Sequence, residues 1–370
     1  MLDNTDTAIR LIIGGFEINT WDDASIDSQI DTPAENWSFS LFSEDDLELP
    51  ESVKAGAKIQ AYYGNELILT SIADAVEEGC DRTGYALKIS GRDLAGQLID
   101  CSVPVFNGRQ INLEELINKF VLSGNLSSLF SKFKIQNNSW LKNKVSVEPG
   151  ESLWDAIVKA AQVTGQHVWL EPDGTLVIGD PFKDAYQAST SLKLIKYDNT
   201  NNVLDARYTE DISNVFTDIK ILSQDAKGQH ILASATADTQ FSHKRLKIVS
   251  LNDVETKAEA DAALEKIKKD NNLQAYSMLA TASDWTLDDK VFSAGWYINF
   301  QTNRLTRATA KWAVIGRTLT LSRSGGKKTS LKLHRQGDWA QPLLYKEPQN
   351  TTSKKSKKTK ATKLDKDEKK

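Results

Sequence analysis

Between residues 9 and 91 apolar and polar positions alternate along the chain. Trp37, Phe39 and Leu41 stand at every second position, as do Ile59, Ala61 and Tyr63, then Ile68, Thr70 and Ile72, then Tyr85, Leu87 and Ile89. Period two places one face of each strand in a core and the other in water. Five or six such strands, with polar connections and no long helix, predict a small antiparallel barrel. Its longest connection is acidic, running from Glu44-Asp45-Asp46 to Gly56. Near residue 100 the period changes. Leu113, Leu116, Ile117, Phe120 and Val121 follow the spacing of an amphipathic helix. Asn112 is placed to cap it, with Glu114 and Glu115 in the first turn. A second helix stripe, Leu153, Trp154, Ile157, Val158 and Ala161, leads into two short apolar runs, Val168-Trp169-Leu170 and Leu176-Val177-Ile178. Glu171-Pro172-Asp173-Gly174 between them predicts a hairpin turn.

Strands return after about residue 190, at Val203–Thr209, Phe216–Leu222, Ile231–Ala235 and Leu246–Ser250. One helix interrupts them over 256–269. Thr256 and Glu259 have the spacing of a capping box, Ala260, Ala263, Leu264 and Ile267 form the apolar stripe, and Glu265 and Lys269 form an i, i+4 pair. Further strands are predicted at Trp296–Phe300, Ala310–Leu321 and Ser330–Leu333, the last two flanking a Ser324-Gly325-Gly326 turn. There is a weak internal echo. The hairpin ending in Ser90-Gly91-Arg92-Asp93 is matched by one ending in Arg335-Gln336-Gly337-Asp338. The expected fold is mainly β with α+β elements: two small antiparallel β-barrel domains, 1–100 and 186–345, flank an α/β module at 101–185, and a helix is inserted in the second barrel. Residues 346–370 lack apolar periodicity and are expected to be disordered.

Charge divides the chain the same way. The last twenty residues hold nine Lys against three acids, leaving 37 bases against 47 acids in residues 1–350. An acidic body of −10 therefore ends in a tail of +6, which suits contact with an acidic partner. The acidic body argues against nucleic-acid binding over the whole surface. Two cysteines, Cys80 and Cys101, are too few for a disulfide scaffold and are expected to be free thiols, although a bond between them is open. No apolar run approaches the ~20 residues of a membrane helix, and Met1–Arg10 has no signal-peptide core.

Candidate chemistry is sparse. Arg323-Ser324-Gly325-Gly326-Lys327-Lys328-Thr329-Ser330 has Gly and Lys but lacks the earlier Gly and the following helix of a phosphate loop. His167, His230, His243 and His334 lack the spacing of a metal site, and the Asp residues at 22, 23, 27 and 31 do not match a calcium loop. No nucleophile-and-base pattern occurs, so no catalytic residue, metal or cofactor is expected. Val147–Ile157 resembles the opening of a LysM-type glycan-binding module. The LysM-like segment would be 145–180, with Pro149, Gly150 and Trp154 as candidate glycan contacts.

Ser90-Gly91-Arg92-Asp93-Leu94-Ala95-Gly96-Gln97-Leu98-Ile99-Asp100-Cys101 resembles a segment of the baseplate hub proteins of contractile-tailed, Mu-like bacteriophages. In that family a first barrel ends in Gly-Arg-Asp and passes into a short Leu-Ile-Asp-Cys helix. Glu148–Ala161, Leu204–Ser213 and the helix at 256–269 followed by Gly295-Trp296 and a closing hairpin are similar to further family segments, in the same order. Gly91, Arg92, Asp93, Leu98, Ile99 and Asp100 carry the resemblance, which spans about residues 8–340. It implies a non-enzymatic structural protein of the virion tail, assembled in the host cytoplasm. It implies a homotrimer whose six barrels join the tail tube, or a tube-initiator protein, to a central spike protein among other baseplate proteins. Nucleic acid would only pass through its channel. A tailocin or type VI-like device would use the same parts, and a peptidoglycan-binding or cell-wall-degrading tail module is the alternative reading.

Overall fold

The computed structural model describes residues 8–335 except 31, 46–47, 105–109, 125, 131, 137–143, 149, 164, 225–229, 237–243, 252–253 and 255. In the first region the strands are β1 (Ile9–Ile13), β2 (Phe16–Ile18), β3 (Asp23–Gln29), β4 (Asn36–Ser43), β5 (Lys58–Tyr63), β6 (Glu66–Ile72), β7 (Ala75–Asp81) and β8 (Gly84–Arg92), followed by helix α1 (Ala95–Asp100). The middle region holds β9 (Gln110–Asn112), α2 (Leu113–Leu116) running on as a π-helical turn, β10 (Phe133–Ile135), β11 (Lys144–Ser146), α3 (Leu153–Val163), β12 (His167–Leu170) and β13 (Leu176–Gly179). The last region holds β14 (Leu192–Leu194), β15 (Val203–Glu210), β16 (Asp218–Gln224), β17 (His230–Thr236), β18 (Leu246–Ser250), α4 (Lys257–Gln274), β19 (Tyr276–Ala282), β20 (Thr286–Leu287), β21 (Lys290–Val291), β22 (Tyr297–Thr302), β23 (Ala310–Ser322) and β24 (Gly326–Arg335). The fold is mainly β, with several sheets and a few helices.

Three cores organise these elements. In the first, Leu11, Phe39, Ile59, Leu87 and Ile89 are shut between the sheet β2–β1–β5–β6 and the strands β3, β4 and β8. In the second, α2, α3 and the β12–β13 hairpin surround Leu116, Ile157 and Ile178. In the third, β15, β19 and β22 to β24 enclose Met278, Phe300 and Trp312. The regions are not separate sheets. One ten-stranded sheet runs β15–β19–β24–β23–β3–β4–β8–β7, with β22 and β14 branching from β23. Its seam is the antiparallel pair β3–β23, from Ser322 opposite Asp23 to Gly316 opposite Gln29.

Most predicted elements are present, with some corrections. Thr70 and Ile72 do not continue the buried face begun by Ile68. A register shift opposite Ala61 and Tyr62 buries Ile68 and Leu69 together and then turns Ser71 inward. The strand β19 was not predicted, although it lies between β15 and β24. The helix expected over 256–269 spans Lys257–Gln274, and its Ala260, Ala263 and Leu264 pack into the middle core, beside Ile219, Ile221 and Ala233 of β16 and β17. Glu265 lies 3.8 Å from Lys268, and the side chain of Lys269, expected to pair with it, lies outside the described residues. Cys80 and Cys101 are free thiols. The echo Gln336-Gly337-Asp338 and the Lys-rich tail lie outside the described residues.

Candidate functional site

The six motif residues gather where β8 passes into α1. Gly91 lies under the Trp37 ring; a methyl there would sit 2.6 Å from the ring and 2.7 Å from the Ile72 carbonyl, so only glycine fits. The Trp37 Nε1–H donates to Ser71 Oγ at 3.2 Å and to the Arg92 carbonyl at 3.1 Å, and the Ser71 hydroxyl donates to the same carbonyl. The side chain of Arg92 then makes a fork. Its Nε donates to Asp74 Oδ2 at 2.9 Å, and its Nη1 and Nη2 donate to the two oxygens of Asp100 at 3.2 and 2.7 Å. Two parallel bonds to one carboxylate fix an angle as well as a distance. Asp100 and Asp74 together raise the Arg92 pKa, and Arg92 holds the Asp100 carboxyl below its usual range. Gly96 lets the Arg92 side chain lie across α1, since a methyl would meet its Cβ at 3.2 Å. The pairs are partly exposed, so each is worth about 1 kcal/mol at most; their contribution is orientation.

Asp93 works beneath this clamp. Its Oδ1 accepts from the Ala34 N–H at 3.0 Å, and its own N–H donates to the Glu35 carbonyl at 2.8 Å. Burial pushes its carboxyl up to about 6, against the pull of backbone N–H groups including those of Ala34 and Glu35. Leu98 is fully buried in the middle core, whereas Ile99 is exposed. The motif is thus a strand-to-helix joint whose one end belongs to the first core and whose other end belongs to the second.

Behind the joint, all three regions line a cavity of about 600 Å³. Arg317 of β23 enters it from the seam. Its Nη1 donates to the Ile26 carbonyl at 3.0 Å and its Nη2 to the Ile68 carbonyl at 3.4 Å, while its Nε has no partner. Burial lowers its pKa to about 10, opposed by the charges of Glu35, Asp27 and Glu66. Asp27 Oδ1, Glu35 Oε2 and Thr70 Oγ1 are likewise buried without a hydrogen-bond partner. Burial, with Asp93 and Asp27 nearby, pushes Glu35 up to about 8. Arg317, Glu35 and Trp37 carry no local motif; their roles come from contacts up to 291 residues away in the chain.

Two of the three candidate glycan residues are among the described residues. Gly150 is exposed with φ +95°, Pro149 lies outside the described residues, and Trp154 is only 5 % exposed in the middle core. Stacking on a sugar needs an open ring face. Among the described residues no cluster of three or more His, Cys, Asp or Glu is placed to hold a metal ion. His167 instead approaches Asp270 at 3.4 Å, burial lowers His334 to about 4, and His243 lies outside the described residues.

Comparison with known families divides the chain at the joint. Residues 8–93 match the Mu phage baseplate assembly protein GpP-like, N-terminal family, and residues 95–180 match the second domain of the baseplate hub protein gp44-like family. These two stretches are similar to domains of phage baseplate proteins. The boundary between the two matched stretches falls at Asp93–Ala95, inside the clamp made by Arg92 and Asp100. Solved structures extend the likeness of fold over nearly the whole chain. A tail protein from Neisseria meningitidis is 24 % identical with TM-score 0.74, over 91 % of this chain and 98 % of that one. A 43 kDa tail protein of prophage MuSo2 from Shewanella oneidensis is 18 % identical with TM-score 0.71, over 89 % and 98 %. A component of the type VI secretion system of E. coli is 10 % identical with TM-score 0.58, over 89 % and 77 %. Curated protein sequences give no match.

Proposed function

We propose that this chain is a structural subunit of a phage tail baseplate hub, three copies of which close a ring between the tail tube and the central spike. The observation that carries the reading is the succession of two hub-family domains over 8–180, inside a fold that matches tail proteins along most of their length. Its mechanism is geometric. Gly91, Arg92, Asp93, Leu98, Ile99 and Asp100 set the angle between the first β region and the middle module, and the β3–β23 seam ties the chain's two ends into one body. The partners are two further copies, a tube or tube-initiator protein, a spike protein and other baseplate proteins. Nucleic acid meets the ring only in passage, and the protein works in the virion after assembly in the host cytoplasm. No catalytic step is assigned.

Light scattering of the purified chain tests the ring. The expected mass is three times the 41.1 kDa of one chain, and class averages should have threefold symmetry. A monomer at every concentration would overturn the reading.

A further inference from the structure

The sheet β17–β16–β18 has apolar side chains on both faces. Ile219, Ile221 and Ala233 enter the middle core. On the opposite face Leu222, Leu232, Leu246 and Ile248 are 44–55 % exposed. Leu222 stands directly across from Leu232, and Ile248 across from Lys220, so the four form one patch. On the patch face Lys220 stands across from Ile248 and Asp218 across from Leu246, with Lys244 leading into β18, while Arg245 and Lys247 alternate to the other side, where Arg245 donates to the Ile212 carbonyl and Lys247 lies over the Phe216 ring. An aliphatic patch with an excess of one positive charge on its face is a poor surface to leave in water and a good one to dock on.

A second face of the same chain has the opposite character. The Phe42 ring, 40 % exposed, lies over Gly84, where a methyl would meet it at 2.8 Å. Phe42 pairs with Ala86, which pairs with Gly79, so small residues leave the ring standing clear. Exposed Glu44, Asp45, Glu77 and Asp81 lie on this face and the turn after β4, against Arg82 and Lys88, while Glu78 alternates to the other side, where it accepts from the Tyr85 hydroxyl at 2.7 Å.

We propose that the aliphatic face of β17–β16–β18 in one copy receives Phe42 and its acidic surround from the next copy. This rests on the ring reading above and names its contact. One aromatic anchor meets four aliphatic side chains, with opposite charges around both, which is the anatomy of a specific interface. Because the two faces are different parts of one chain, the contact is head to tail and closes into a ring only if the rotation between copies allows it.

The test uses the full chain and two single variants, Phe42→Ser and Ile248→Asp, with circular dichroism and melting as folding controls. Each variant should lose the trimer, with at least a tenfold weaker association in light scattering. Mixed together, the two should form a dimer of unlike chains, since each still carries the face the other lacks. Variants that remain trimeric, or a mixture that remains monomeric, overturn the contact while leaving the ring intact. A monomeric wild type overturns the ring itself. Should either variant fail to fold, Leu246→Cys with Gly79→Cys in a Cys80→Ser background decides, because position 79 shares the Phe42 face through Ala86 and a side chain there meets nothing within 4 Å. A short bis-maleimide should join the two positions between copies in a covalent series ending at three chains, and its failure to do so overturns the contact.

Discussion

Burial holds the Glu35 carboxyl at about 8, and Asp93 beside it at about 6. Between its ordinary 4.5 and 8 the folded chain therefore keeps a proton on Glu35 that the unfolded chain has released. Stability from this group is fully present below 4.5 and falls as pH rises through 8. His334 acts the other way. Burial depresses it from 6.5 to about 4, so its contribution grows as pH rises through that window. The two oppose each other up to 6.5; above that Glu35 acts without either His334 or Asp93. Melting temperature should fall between pH 6.5 and 9, by the equivalent of about 1–2 kcal/mol after allowance for screening. Glu35→Gln cannot ionise and should flatten that fall, making the variant the more stable form at pH 9. Calorimetry across the pH range checks this, and an unchanged slope in the variant would sink it. None of this chemistry was legible beforehand, because Glu35 follows Ala34 in an ordinary-looking turn and its neighbours Asp93, Asp27 and Arg317 arrive through tertiary structure. The Gly91-Arg92-Asp93 string was legible as a motif. What was hidden was the partner set, Trp37, Ser71 and Asp74, that makes it a joint.

Local elements were legible in proportion to how local their stabilising contacts are. The Asn112 cap formed as predicted: the Glu115 N–H donates to Asn112 Oδ1 at 2.7 Å, and the Asn112 N–H donates back to Glu115 at 3.5 Å. Thr256 and Glu259 make the same reciprocal pair at 3.3 and 3.2 Å. A capping box spans four residues, so its sequence contains its whole cause. The register shift between β5 and β6 has no such local cause, and the alternation at Ile68, Thr70 and Ile72 pointed to the wrong face. The central strand β19 was overlooked because its buried side chains are Tyr276, Met278, Ala280 and Ala282, and two alanines make a faint stripe. The strand β3 was hidden by Asp23 and Asp27. Asn112→Ala should cost about 1 kcal/mol in urea unfolding, whereas Asn112→Asp, which can still accept from the helix, should change stability little. Equal losses in both variants would show that the side chain serves something other than the cap.

At the scale of the molecule, the order β, then α/β, then β could be read from the change of period along the chain. That the outer two parts share one sheet could not, because the pair β3–β23 joins residues almost three hundred positions apart. The first core is completed by Trp285, Val291 and Leu319 from the far end of the chain, with the Trp285 Nε1–H donating to the Thr320 carbonyl at 2.8 Å. Cutting the chain at the expected boundary, between 185 and 186, would remove these side chains and leave β3 as an open sheet edge backed by an incomplete core. Residues 1–185 produced alone should therefore be digested quickly by protease or should aggregate, although they contain both family-matched stretches. Produced together with residues 186–370, they should co-purify as a complex, since the seam offers a long ladder, a shared core and Arg317 reaching the Ile26 and Ile68 carbonyls across it. A protease-resistant, monomeric 1–185 fragment that ignores its other half would mean the first region is self-sufficient and the seam is incidental. If the halves do reassemble, the chain is one body whose first and last strands are locked together, so that load applied at either end passes through the sheet before it reaches the joint at Arg92.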